Sequence, residues 1–244
     1  MRHKKIEIRS WTAVALGILF LGIGCGQQKG SGGLPSDKTA ELRALQDKRE
    51  NRRKQLQGMN AKQLAQELAS DSEKGREPFN SSAYQETVSR GEGVAGDLKQ
   101  SLTRADRSSL LSLLALRRVS PTQYHALETS FRVNILVSSL ETSRYFNTWG
   151  LPHDYWEDAA KALIDEGTPA EAALIKLLDD KRPAPVFGSE GATVGAKFHY
   201  RVCDYAWALL NEIRQQKVEV PSDPAERDRL IEKTLKEGPN PKHK

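Results

Sequence analysis

The chain has 244 residues, enough for one domain of ordinary size once its terminal segments are set aside. Its formal net charge is +5, but residues 1–24 hold Arg2, Lys4, Lys5 and Arg9 against Glu7 alone; the remainder balances at +2, and such weak basicity gives no footprint for nucleic acid. With two cysteines, Cys25 and Cys203, a single bridge between them is all the disulfide chemistry the chain could hold.

From the N-terminus, the basic residues precede an uncharged run, Trp11 to Gly24 (WTAVALGILFLGIG). Its 14 residues fall short of the ~20 a membrane-spanning helix needs, so residues 1–24 read as a signal peptide. The run ends at Leu21-Gly22-Ile23-Gly24-Cys25, which resembles the lipobox of bacterial lipoproteins, with Gly22 where the family usually has Leu. The resemblance implies cleavage before Cys25, acylation of Cys25 with palmitate-type chains, and an exported, membrane-anchored protein whose first partner is lipid. Two chains on one residue suffice for stable anchoring. Gly26 in place of Asp resembles lipoproteins sent to an outer membrane or cell surface. The plainer reading is an ordinary signal peptide with an incidental cysteine. If Cys25 is acylated, Cys203 is a free thiol, expected to be a small buried hydrophobe.

Residues 25–37 (CGQQKGSGGLPSD) have the composition of a flexible tether. Residues 38–96 read as a charged helix followed by a polar loop region: Lys38 to Leu56 is rich in helix formers with few apolar positions, and Ser70 to Gly96 offers one short helix around Ser82 to Val88. The basic cluster Lys48, Arg49, Arg52, Arg53 and Lys54 is expected to be a solvated face.

Residues 97–238 read as the helical domain, and 239–244 as a disordered tail. Four segments place a capping residue three before Glu or Gln, the pattern in which two helix-end N–H groups are satisfied reciprocally. They begin at Ser120, Asp154, Thr168 and Asp223, three of them with Pro at the first helical position. Apolar residues recur at helical spacing over 108–118, 131–146, 155–164, 170–178, 200–213 and 225–235. Only Lys217 to Val220 alternates like a strand, and it is too short to found a sheet. The expected fold class is all-α.

Asp158 to Glu166 (DAAKALIDE) matches Asp204 to Glu212 (DYAWALLNE) 46 residues on, within the period of stacked helix pairs. At these residues the chain resembles the HEAT-repeat family, which implies a short, irregular α-solenoid that presents a surface to a protein partner and has no catalytic constellation. Between the matching helices lies a long Pro- and Gly-bearing insertion, 179–198, the first candidate for a binding surface. The partner-binding candidates are Arg182, Val186, Phe187 and Glu190 on it, and Arg201, Asp204 and Trp207 on the helix that follows. Trp207 replaces Lys161 of the earlier copy, a register suggesting an outer face; Trp149, Trp156, Tyr200 and Tyr205 are expected in the core.

His199 and Cys203 stand at i, i+4, weak candidates for two metal ligands on one helix, where a site needs at least three. Motifs of nucleophilic, zinc-hydrolase and phosphate-loop chemistry are missing, and Gly188-Ser189-Glu190-Gly191 reads as a turn. No cofactor is expected. The function expected is a membrane-anchored envelope protein that binds another envelope protein; the alternative is an envelope hydrolase or metal-binding enzyme near the 179–198 loop and His199.

Overall fold

The computed structural model describes residues 36–142, 146–152, 154–184, 193 and 197–237. The expected signal peptide, Cys25, most of the expected tether and the expected tail therefore lie outside the described residues. The chain divides into two compact units, residues 1–43 and 44–244. Of the first, the described part is the opening of helix α1 (Ser36–Gln57), where Lys38, Ala40, Glu41, Leu42 and Arg43 are exposed.

Within the second unit, α1 stays solvated until its last turn, where Leu56 enters the core at 1% exposure. A helix end leaves carbonyls without intrahelical donors. Here Arg90 supplies them, donating to Leu56 O at 2.9 Å, Gln57 O at 3.1 Å and Met59 O at 2.6 Å while Glu86 holds its Nε at 2.8 Å.

The chain from 58 to 101 is more ordered than its polarity suggests. Helix α2 (Ala61–Glu73) starts on a reciprocal cap, Gln63 N to Asn60 Oδ1 and Asn60 N to Gln63 Oε1, both 2.9 Å. Helices α3 (Ser82–Ser89) and α4 (Ala95–Ser101) follow, and Leu64, Leu68, Tyr84 and Leu98 join one core with α5 (Leu110–Val119). The polar residues at this seam are buried because they are paired: Ser81 Oγ donates to Asp71 Oδ2 at 2.7 Å, and Leu111 N donates to Ser72 Oγ at 3.1 Å.

Beyond α5 come α6 (Pro121–His125), α7 (Thr129–Thr142), α8 (Phe146–Trp149), a hairpin of β1 (Gly150–Leu151) and β2 (Tyr155–Trp156), α9 (Asp158–Glu166), α10 (Thr168–Lys176), α11 (Val202–Ile213) and α12 (Pro224–Glu237). Helix α7 packs on α5, α9 and α10; α9 and α10 pack on α11; α12 covers α11. The unit is helical, the hairpin being its one sheet among the described residues. No helix of the described residues is long and apolar enough to cross a membrane.

Helix starts fall at Pro121, Thr168 and Pro224, close to the sequence expectation, and Asp223 Oδ1 accepts Ala225 N at 3.0 Å. The helix expected from Tyr155 begins instead at Asp158, because Tyr155 and Trp156 pair antiparallel with Leu151 and Gly150. Gly150 permits this: its φ is 83°, and a Cβ there would collide with the Tyr155 carbonyl oxygen. At α10, Gly167 occupies the cap and Glu171 turns away to Arg214, so the reciprocal cap expected there does not form.

The two copies of the repeat are α9 and most of α11. Their shared small and apolar positions are buried alike: Ala160 with Ala206, Ala162 with Ala208 and Leu163 with Leu209. On the opposite face Lys161 and Asp165 of α9 are exposed, whereas Trp207 and Asn211 of α11 are covered. Trp207 is 2% exposed, its indole N–H donating 3.0 Å to Thr234 Oγ1 of α12. The outer-face expectation for Trp207 is thereby corrected, since the fold places another helix over that face.

Candidate functional site

Two buried arginine clusters organise the helices. In the first, Arg132 of α7 donates to Glu166 of α9 through Nε at 2.8 Å and a terminal nitrogen at 2.6 Å; Tyr124 of α6 donates its hydroxyl to the same carboxylate at 2.5 Å. Arg132 also meets Leu127 O in the turn before its own helix and lies 5.0 Å from the Tyr124 ring centroid. In the second, Arg227 of α12 donates to Pro221 O, Ser222 O and Phe198 O and lies 5.0 Å from the Tyr200 ring. Its Nε is 3.1 Å from Asp204 Oδ1, a charge contact without hydrogen-bond alignment. Burial, then the Glu166 hydrogen bond, drives the Tyr124 hydroxyl pKa far up; burial does the same for Tyr200.

Asp204 opens α11 and is fully buried. It accepts the Arg201 backbone N–H at 2.8 Å and the Arg201 guanidinium at 3.0 and 2.9 Å, while Arg201 reaches Asp228 at 2.7 Å. Asp204, Arg201 and Trp207 are thus engaged inside the fold. Arg182 is exposed and lies on Asp180, whose carboxyl it holds below the usual carboxylate range. Val186, Phe187 and Glu190 lie outside the described residues. The neck of that insertion is stitched by Ala184 N to Tyr200 O, Val202 N to Arg182 O and Cys203 N to Asp180 O, at 2.9 to 3.0 Å.

His199 and Cys203 do not share a helix. His199 precedes α11 with φ 48° and is exposed, whereas Cys203 is buried with its thiol pushed up to about 12, chiefly by burial and then by Asp204. Among the described residues no three His, Cys, Asp or Glu side chains converge. The i, i+4 spacing misleads because Arg201, fixed by the Asp204 carboxylate, caps the helix two residues after His199.

A cavity of about 810 Å³ lies against Lys197 and Phe198 of the insertion, with Tyr155, Trp156 and Val218 on its other walls; further concave surface lies on the helices themselves. A cavity of about 570 Å³ between α3, α5, α6 and α9 is lined by Tyr84, Leu114, Arg117, Arg118, His125 and Asp165 among others. A second, of about 480 Å³, is lined by Pro78, Phe79, Gln85, Val88 and Glu157. Both share Tyr84, Arg118 and Asp158, so they form one groove. Phe79, on the 3-10 turn Pro78–Asn80, stands 82% exposed at its edge, the most exposed of the large hydrophobic side chains described. Arg117 pairs with Asp165; Arg118, 62% exposed, is 3.9 Å from Asp158 and so not hydrogen-bonded to it. Burial, then Asp158, pushes the Tyr84 hydroxyl up to about 12, and burial holds the Glu157 carboxyl above its ordinary range. The sequence carried no signal for this groove beyond an isolated Pro78-Phe79 in a polar stretch.

Comparison of the chain with protein-family models, with curated proteins and with solved structures finds no match in any of the three.

Proposed function

We propose that the chain is an exported lipoprotein, anchored through Cys25, whose HEAT-like stack of helices binds another envelope protein along the groove between α3, α5 and α9. The carrying observation is Phe79. A phenylalanine 82% exposed beside a groove floored by Tyr84 is a hydrophobic anchor awaiting a partner, since aromatic side chains bury large area with few rotors. Arg118, loosely held by Asp158, supplies a charged rim. The lipobox-like end and the tether sequence after Cys25 supply the address. A photo-crosslinker at Gln85, in cells, should trap one defined envelope protein. Phe79→Ala should abolish the adduct without changing the melting temperature, and Cys25→Ser should release the chain from the membrane fraction. An adduct that survives both Phe79→Ala and Arg118→Glu would reject the groove; an unacylated Cys25 by intact mass would reject the anchor.

A further inference from the structure

A small cleft opens where the end of α2, the turn through Arg76, the 3-10 turn Arg107–Ser109 and the end of α7 meet, about 30 Å³ in volume. Ser72, Arg76, Arg107, Ser139 and Thr142 line it, with Leu110 at the first position of α5. Ser139 is 3% exposed, and its hydroxyl has no hydrogen-bond partner among the described residues. Buried hydroxyls are almost always partnered, so a donor aimed into a cleft asks for an acceptor there.

The surrounding charge states which acceptor. Arg107 is exposed and its guanidinium makes no hydrogen bond or ion pair with the described residues; Arg76 is half-exposed, its Nε 3.4 Å from Asp71 Oδ1. Asp71 also accepts a hydrogen bond from Ser81, but its one cation among the described residues is Arg76, so Arg76 is shared with Asp71 and Arg107 brings the uncommitted charge. Ser72 Oγ accepts Leu111 N, which leaves its hydroxyl hydrogen to donate. The ten-residue α5 adds the positive end of its dipole.

We propose that this cleft binds a tetrahedral oxyanion of the phosphate class, as the free ion or as a lipid headgroup. Ser139 and Ser72 donate inward, Arg107 supplies the balancing charge, and Arg76, shared with Asp71, adds to it. A volume of about 30 Å³ admits one or two leading oxygens of such an anion and no ring or chain, a water position needing roughly 10–15 Å³. This site is independent of the protein-binding groove.

The test is inorganic phosphate titrated into the detergent-solubilised full chain, followed by calorimetry and melting temperature, with chloride at matched ionic strength as reference. Phosphate should bind saturably and raise the melting temperature. Arg107→Gln, a change at an exposed residue, should weaken binding about tenfold, as loss of a charge-assisted contact does. Ser139→Ala removes an unpaired hydroxyl; it should leave the phosphate-free melting temperature unchanged or raised while weakening phosphate binding severalfold. Dihexanoyl phosphatidic acid distinguishes the sources: tighter binding than phosphate, with competition between them, assigns the headgroup, and weaker binding assigns the free ion. A phosphate response no larger than chloride's, or one that both variants retain in full, would overturn the site.

Discussion

Helices α9 and α11 share a sequence pattern and differ in what covers them, and the difference shows how far a repeat determines structure. Their small residues bury the same face in both, so that face follows from the sequence. The other face depends on the neighbour: α9 leaves Lys161 and Asp165 in water, whereas α12 lies over Trp207. The charged residues follow the same division. Glu166, at the end of α9, is buried on Arg132; its counterpart Glu212, in α11, is exposed, and the buried carboxylate there is Asp204 at the start. In each case an arginine from the fourth position of an adjacent helix, Arg132 or Arg227, closes the contact and also ties down the turn before its own helix.

The largest effect should come from Trp207→Ala, about 3–5 kcal/mol lost in urea unfolding. Its counterpart Lys161→Ala should stay within about 0.5 kcal/mol. Similar costs at both positions would break the comparison. Arg132→Met should also cost about 3–5 kcal/mol, because Glu166 is left as a buried charge without its cation; adding Glu166→Leu should recover most of the loss. Arg227→Met should cost less, about 1–3 kcal/mol, since Asp204 keeps Arg201 and the Arg201 backbone N–H. A larger loss at Arg227 than at Arg132 would show that its carbonyl contacts outweigh the ion pair.

The smallest effect is on pH dependence. Arg201, then Lys181, hold the Asp228 carboxyl below its ordinary value near 3.8, and Arg182 does the same for Asp180. A depressed carboxyl contributes stability that is present above the unfolded-state pKa and lost as pH falls through the folded one. Both ion pairs are solvated, the Asp180–Arg182 pair the more so, and that of Asp228 contributes less than about 1 kcal/mol. Asp228→Asn should therefore flatten the loss of stability below pH ~4 measured by urea unfolding. Glu157, raised by burial, acts in the opposite sense and gains on acidification.

Helical periodicity makes α5, α7, α10, α11 and α12 legible in the sequence, and the repeat locates α9. Helix α2 and the joining of 58–101 to the core were not legible, because Asp71, Ser72 and Ser81 look like loop residues until their mutual hydrogen bonds are seen. The hairpin was hidden for another reason. Tyr155 and Trp156 fit a helical spacing, and what overrides it is a backbone contact with Gly150 that no side-chain pattern records. Site residues fared similarly: Asp204 and Trp207 have the chemistry of recognition but serve the interior. Phe79, which stands outside, was one apolar residue in a polar run.

Arg90 has a mechanical consequence. The second unit grips α1 through the Leu56 side chain, three carbonyls at its C-terminal end that share one guanidinium, and the Arg52–Glu67 pair. Tension entering along α1 is borne by that grip before it reaches α2 through α12. In a force–extension trace α1 should detach as an early, low-force step while the rest of the unit stays folded, and Arg90→Ala should lower the rupture force. Arg90 would then work as a fuse between α1 and the helices behind it.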